Sequence, residues 1–347
     1  MPLEYRIAET PEDIEGAVRL VYRNYREIGS CGLNHFEIHF YLHDVLPQTR
    51  TLVAAEEGRI VATLTLVFDS PLGVPSGKLY PAEVESLRSA GRRPAEISKL
   101  AVQRELGARG LSVLKGLFRL AWLLAAPVRG MTDIIILIEP RHDAFYRRSL
   151  LFERIGEQKP DPDAAGVSSL LLRLDLETAR DRYRAEFGES PSPHNAYWYG
   201  CLDPEVPVLQ AAAHAADARL AELNRRIESG APPASLDAAD RRYLDYRLFI
   251  LEVVASQTCR EAERRSQRGL FREEITLYER LLTALPPSHA PERQAGIRVD
   301  LAWAACHGGF HDKALGFARA ARRNATRPDL IARSHGAAGL ALYFMGQ

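Results

Sequence analysis

Apolar positions in the first half of the chain change period several times, and each change marks an element. Leu3 to Ala8 alternates as a short strand, and Thr10-Pro11-Glu12-Asp13 supplies an N-cap, a helix-starting proline and first-turn acids for a helix to about Ile28. Gly29 to Gly32 interrupts it, Asn34 caps a second expected helix through about His43, and Pro47 closes that stretch. The β-branched runs Arg50–Ala55 and Arg59–Phe68 flank Glu57-Gly58, a two-residue hairpin signature, and Asp69 to Pro75 reads as loop. Strand Ala95–Val102, helix Ala108–Ala126, the fully apolar strand Thr132–Ile138, helix Arg141–Leu150 and strands Phe152–Glu157 and Ser168–Asp175 follow. The expected order is β-α-α-β-β-β-α-β-α-β-β, a mixed α/β plan.

From about Ala211 the strand signals stop and Ala, Arg, Leu and Glu recur at helical spacing. Three segments are therefore expected: an α/β domain over 1–180, a connector over 181–210 with Pro191, Pro193, Pro204, Pro207 and Tyr197-Trp198-Tyr199, and an all-helical domain over 211–347. Gly269-Leu270-Phe271, Ile275, Tyr278, Leu281-Leu282 and Pro286 are similar to the second helix of a tetratricopeptide repeat. Leu301 to Leu315, with Gly308 and Phe310, echoes it at a 40-residue step, and Gly339, Tyr343 and Gly346 resemble the opening of one more unit.

Composition narrows the partners. The 347 residues balance 45 Lys+Arg against 45 Asp+Glu, which argues against a nucleic-acid or anionic-membrane binder acting through bulk charge. With 46% hydrophobic and 26% charged residues the chain is expected to fold. Cys31, Cys201, Cys259 and Cys306 are too dispersed for a zinc knuckle and fit a reducing cytoplasm. Lys115 and Arg119 interrupt the apolar run Leu111–Val128, so no transmembrane segment is expected. The zero charge is a cancellation: residues 1–205 carry 25 basic and 29 acidic side chains, and 206–347 carry 20 and 16. Within the acidic half, Arg88 to Arg119 gathers eight basic residues against Glu96 and Glu105.

Ala95-Glu96-Ile97-Ser98-Lys99-Leu100-Ala101-Val102, preceded by Tyr80 to Arg88 and followed by Glu139-Pro140-Arg141-His142 and Phe145 to Glu153, resembles the GNAT superfamily. More narrowly it is similar to the long-chain N-acyl amino acid synthases, and more distantly to acyl-homoserine lactone synthases. Those families more often have Arg at Lys99, Asn at Glu139 and Gly at Leu151. The resemblance covers roughly Tyr5 to Asp175 and implies a mostly antiparallel sheet flanked by helices.

It also implies a donor with an acyl-phosphopantetheine thioester, no permanently bound cofactor, and an amino-acid acceptor. The pantetheine arm would lie between Glu96–Val102 and Thr132–Ile138, with the thioester carbonyl polarised by amides near Leu100, Ala101 and Val102. The loop before the helix, Arg104-Glu105-Leu106-Gly107-Ala108-Arg109-Gly110, keeps Arg104 and Gly107 of the usual pyrophosphate-binding pattern but places Arg109 where a small residue belongs. That departure favours an acyl carrier protein over acyl-CoA as donor. Arg92, Arg93, Lys115, Arg119, Arg147 and Arg148 are the expected carrier-docking residues.

For catalysis, Glu96 is the candidate to hold or deprotonate the acceptor ammonium, Tyr146 to protonate the departing thiolate, and His142 to orient acceptor or carbonyl. Glu96 and Lys99, three apart on a strand, are expected on opposite faces. Arg19, Tyr22, Arg23 and Tyr25 are the acceptor-binding candidates. His35, His39 and His43 recur every four residues; without a matching carboxylate set they are read as lining a cleft or surface rather than holding a metal. Two alternatives stay open: a lactone synthase using S-adenosylmethionine, and a degenerate acyltransferase whose helical half binds a protein partner.

Overall fold

The computed structural model describes residues 3–29, 31, 37–161, 167–188, 206–229, 236–286, 288 and 290–346. Contacts divide the chain into two units, Met1–Ala221 and Glu222–Gln347.

The first unit is built on one sheet. Strands β1 (Glu4–Ile7), β2 (Thr49–Glu56), β3 (Arg59–Phe68), β4 (Pro94–Val102), β5 (Asp133–Ile138), β6 (Glu153–Arg154), β7 (Lys159–Pro160) and β8 (Ser168–Asp175) run in the order β1-β2-β3-β4-β5-β8-β6, with β7 also on β8. Every pairing is antiparallel except β4 with β5. The β2–β3 hairpin forms at Glu57-Gly58, both in the left-handed region at φ 53° and 75°, the dihedrals a two-residue turn needs to match strand twist.

Helices α1 (Pro11–Glu27) and α3 (Arg109–Leu123) cover opposite faces. Gly16 of α1 lies against Ile60, where an added Cβ would meet the side chain at 2.7 Å, and Gly116 of α3 lies against the Tyr5 ring. Ile60 pairs with Ala55 and Tyr5 with Ala54, neighbours whose side chains alternate across the sheet. The apolar character of α3 is that of a core helix: Val113, Leu117, Phe118 and Leu120 are buried. Arg109–Val128, α3 with the π turn at Leu124–Val128 that contains Pro127, is long and apolar enough to cross a membrane, and half of it is buried within the protein.

Two expected elements differ. The second helix, Asn34 to His43, is not formed over residues 37–41; only a short 3₁₀ turn follows at Leu42–Val45. Glu37 is left-handed at φ 53°, and the Asp44 carboxylate accepts the Tyr41 amide at 2.5 Å, so a side chain takes the donor that a helix would have used. Conversely, Tyr80 to Arg88, placed in no element by the sequence pattern, contains helix α2 (Pro81–Ser89), started by Pro81 and burying Val84 and Leu87. These pack with Val74, Tyr80, Ile135 and Leu171. The strand expected over Phe152–Glu157 shrinks to β6, entered through Leu151 at φ 56°. That is the position where the resembled families carry glycine, and a left-handed leucine costs on the order of 1 kcal/mol. Helices α4 (Asp143–Ser149) and α5 (Ala179–Phe187) complete this part of the chain, α5 having escaped the sequence reading.

Helix α6 (Val206–Ser229) contains the expected boundary at residue 211. Its Asp217 is held within the first unit by two guanidiniums, Arg50 Nε at 2.7 Å and Arg129 Nη2 at 2.7 Å, and its Arg219 reaches Glu9 at 3.0 Å. Arg50, 2% exposed, also donates to the carbonyls of Pro47 and Thr49.

The second unit is helical among its described residues: α7 (Ala238–Gln267), α8 (Phe271–Ala284), α9 (Pro291–His307), α10 (His311–Asn324) and α11 (Pro328–Phe344). Gly269 and Gly309, at φ 71° and 78°, make equivalent turns, and the residues that follow, Leu270 and Phe310, share φ/ψ near −87°/56° and −97°/60°. Each turn opens a helix of 14 residues, so the 40-residue sequence echo is a repeated turn geometry. Ala302, Ala318 and Ala337 let α9, α10 and α11 approach closely around Trp303 and Phe317.

Candidate active site

The site begins where β4 parts from β5. Parallel pairing runs from Pro94↔Asp133 to Ile97↔Ile136 and stops, while β5 continues to pair with β8 through Ile138. On its other side β4 remains paired to β3, but the register slips between Ser98 and Ala101. Lys99 sits in that bulge at φ 50°, a strained conformation for a residue with a side chain. From Ser98 to Val102, β4 thus has a strand neighbour on one edge only, and Leu100, Ala101 and Val102 line the splay. A strand edge released from its ladder can offer amides to a ligand carbonyl. Val102 is further fixed by Asn24, whose Nδ2 donates to its carbonyl at 2.9 Å.

Glu96 lies just inside the last paired residues, opposite Ile135 and Val67, and is 2% exposed. The Ser76 amide, on a 3₁₀ turn at Pro75–Lys78, donates to its Oε2 at 2.8 Å. No ion pair to Glu96 occurs among the described residues. Burial pushes its carboxyl up to about 7 against the opposing pull of Ser76. It is therefore poised to exchange a proton near neutrality. Lys99 takes a different partner, Asp44, and both side chains are almost fully buried. Its ammonium also lies 5.8 Å from the centroid of the Phe40 ring.

Around that ion pair stand His39, Tyr41 and Tyr25. The His39 ring is 4.7 Å from Tyr41, edge-on, and 5.4 Å from Tyr25. Burial first, then Lys99, lowers the His39 pKa to about 4 against the pull of Asp44. Tyr146, on α4, is 5% exposed in an aromatic cluster with Phe118, Phe145 and Phe152 at 5.9, 5.3 and 5.8 Å. Burial, and secondarily Tyr25, raises its pKa, so it remains a phenol able to donate a proton. Tyr25 is raised by burial and by Asp44 in the same way. Tyr25, Tyr146, His39 and Lys99 thus come together from α1, α4, the stretch before β2, and the bulge.

The remaining sequence candidates disperse. Tyr22 is buried in α1, Arg23 is exposed, and Arg19 pairs with Glu15 at 2.8 Å on the helix surface. His142 is exposed on the turn after β5; burial of part of its ring and Arg141 lower its pKa. Arg104 and Arg109 are about two-thirds exposed and bond Glu27 at 2.9 Å and Glu56 at 2.8 Å, surface pairs an incoming anion would displace at little cost. Gly107 takes φ 51° at the turn into α3, and Gly110 passes Val102 so closely that a Cβ would lie 3.1 Å from its methyl.

Among the docking candidates, Arg92 requires correction. Its guanidinium bonds Asp133 at 2.7 Å, Asp175 at 2.9 Å and Glu177, and it closes the sheet instead of facing a partner. Arg93 is exposed, its backbone amide donating to Thr132 Oγ1 at 2.7 Å. Lys115 and Arg119 are half-buried on α3. Arg147 and Arg148 instead join Arg154 and Arg182, which the sequence did not single out, around a cavity of ≈ 680 Å³ that also contains Asp143 and Glu153. Asp143 pairs with Arg154 at 2.7 Å and Arg147 at 3.5 Å. His35 lies outside the described residues, and His39 and His43 do not share a helix face. No cluster of metal-ligating side chains occurs among the described residues.

Ser76 and Asp44 were not assigned to the site from sequence, and His39 was placed only on a face lining a cleft or surface. Ser76 carried no signal beyond Pro75 before it, whereas the histidine spacing did flag His39, for a helix that is absent over residues 37–41.

Residues 16–175 match the family described as FeeM, N-acyl amino acid synthase. Among solved structures, FeeM, an N-acyl amino acid synthase from uncultured soil microbes, is similar over 54% of this chain and 98% of its own, at 22% identity and a TM-score of 0.46. An acyl-CoA N-acyltransferase from Pseudomonas aeruginosa is similar over 50% of this chain and 99% of its own, at 15% identity and 0.34. The CoA-dependent acyl-homoserine lactone synthase MesI is similar over 55% and 97%, at 19% identity and 0.37. No curated protein matches the chain. The α/β part of the chain over residues 16–175 is therefore similar to the N-acyl amino acid synthases described as FeeM, which are N-acyltransferases, and the match leaves the rest of the chain uncovered.

Proposed function

We propose that the enzyme moves a long-chain acyl group from the phosphopantetheine thioester of an acyl carrier protein to the α-amine of an amino acid. The observation that carries this reading is Glu96, a buried carboxylate with no ion-pair partner among the described residues, placed where β4 separates from β5. The acceptor arrives mostly as an ammonium at neutral pH. Glu96 takes one proton from it, and the freed amine nitrogen attacks the thioester carbon. The carbonyl oxygen gathers charge against the amides of Leu100, Ala101 and Val102. As the C–N bond forms the C–S bond breaks, Tyr146 supplies a proton to the departing thiolate, and the second proton shed by the acylated nitrogen restores the Tyr146 phenol, while Glu96 returns its proton to solvent. The products are the N-acyl amino acid and the free thiol.

A carrier protein is favoured over acyl-CoA by two features. Arg109 stands in the loop where the usual nucleotide-pyrophosphate pattern has a small residue. Arg147, Arg148, Arg154 and Arg182 converge on one cavity, suited to an acidic protein surface, and with Arg93, Lys115 and Arg119 they form the proposed docking side. The helical unit, with its repeated glycine turns, is proposed as a tetratricopeptide-like module for a protein partner.

Purified enzyme incubated with acyl-loaded carrier protein and a panel of amino acids should yield a species whose mass is acyl chain plus amino acid less water. Equal or better turnover with acyl-CoA would reassign the donor. A lactone formed only with S-adenosylmethionine would replace the reading, and no product with any donor and amine would end it.

A further inference from the structure

His39 carries the strongest unexplained feature of the site. Its Nε2 is buried and has no hydrogen-bond partner among the described residues, although the ring is only half-buried and is flanked by Tyr25 and Tyr41. A buried polar nitrogen without a partner is a standing penalty that apolar packing would not retain and that a ligand group could relieve. The surroundings define that group. Lys99 projects positive potential at the ring, Asp44 is bonded to Lys99 and to the Tyr41 amide, and Tyr25 and Tyr41 supply aromatic walls. A neutral imidazole N–H beside an ammonium attracts an anionic acceptor, and a carboxylate fits. The low pKa of the ring agrees, because it keeps the imidazole neutral across the working range.

We infer that His39 is the acceptor-recognition residue, donating through Nε2 to the α-carboxylate of the incoming amino acid so that its amine is held at the splay. This rests on the transferase reading above and deepens it by assigning the group that separates amino acids from simple amines. The tautomer follows from the role: with Nε2 protonated, Nδ1 carries the lone pair.

The test compares an amino acid with its decarboxylated amine in wild type, His39→Phe and His39→Gln. Wild type should prefer the amino acid. His39→Phe should raise its KM about tenfold or more, leave kcat within about threefold and erase the preference, whereas His39→Gln, whose amide N–H occupies a similar place, should retain most of it. The melting temperature of His39→Phe should hold or rise, since an unpaired buried nitrogen is removed; a histidine kept only for packing would lower it. An unchanged preference in His39→Phe overturns the inference while leaving the transferase reading intact. If wild type acylates nothing, the transferase reading fails, and thermal stabilisation by amino acids decides His39 by itself: stabilisation of both wild type and His39→Phe, or of neither, overturns it.

Discussion

Glu96 and Asp133 are buried carboxylates on adjacent strands, two steps apart in the one parallel ladder of the sheet, and they behave oppositely. Pro94 pairs with Asp133 and Glu96 with Ile135. Asp133 is fully buried, which by itself would raise its pKa, yet hydrogen bonds from Arg92, Thr132 and Arg173 overcome that and hold it below the usual aspartate range. Glu96 is buried to a similar degree and, among the described residues, has Ser76 as its hydrogen-bond partner, so desolvation prevails and the carboxyl is pushed up to about 7. Burial does not make a catalytic acid or base; burial without a cation does. One end of the β4–β5 ladder is a brace, and the end at which the strands part keeps a proton in play.

Breaking the comparison at Glu96 should have the largest effect. Glu96→Gln keeps an oxygen for the Ser76 amide but cannot take a proton; we expect kcat to fall about 100-fold or more with little change in donor KM. The rising limb of kcat against pH, centred near 7 in wild type, should vanish with it. Retention of that limb in the variant would move the base elsewhere.

Asp133→Asn should spare the chemistry and damage the fold. It leaves Arg92 and Arg173 without the carboxylate they share, and loss of one partner from a buried cluster costs about 3 to 5 kcal/mol. Urea unfolding should register that loss, with activity per folded molecule largely kept. A variant as stable as wild type would show that Asp175 and Glu177 suffice for Arg92.

The smallest effect is one of pH on stability. Between the ordinary glutamate value of 4.5 and about 7, the folded protein binds the Glu96 proton more tightly than the unfolded chain does. That contribution is complete below the window and is lost as pH rises through it, by on the order of 3 kcal/mol in all. Asp133 has the opposite sign: its contribution is present above the ordinary aspartate range and lost as pH falls through its depressed value. Chemical denaturation from pH 4.5 to 8 should show wild type losing stability relative to Glu96→Gln. Parallel curves would mean that Glu96 is ionised throughout.

Much of the sheet was legible because its signals are local. The Glu57-Gly58 turn, the alternation of β2 and β3 and the apolar run of β5 each fix a strand within a few residues. The expected second helix is absent over residues 37–41, where Asp44 captures the Tyr41 amide, a side-chain competition that helical spacing does not register. Arg92, counted from sequence among the docking charges, is bound by carboxylates 41, 83 and 85 positions away, so its charge is internal. Arg154 and Arg182 drew no notice because neither adjoins Arg147 or Arg148 along the chain, and only the cavity groups them.

The sequence by itself determined the alternation of strands and helices, the switch to a helical second half and the strand carrying Glu96 and Lys99, because hydrophobic period, turn residues and caps act over a few positions. Only the tertiary structure decided which charges are used up and which are left. Asp44 meets Lys99 and Asp217 meets Arg50 across separations that no local pattern encodes, while Glu96 receives no cation among the described residues. The role proposed for it rests on that withheld partner, since a buried carboxyl titrates near neutrality when desolvation is not offset, and the offset depends on what the fold brings within a few ångströms.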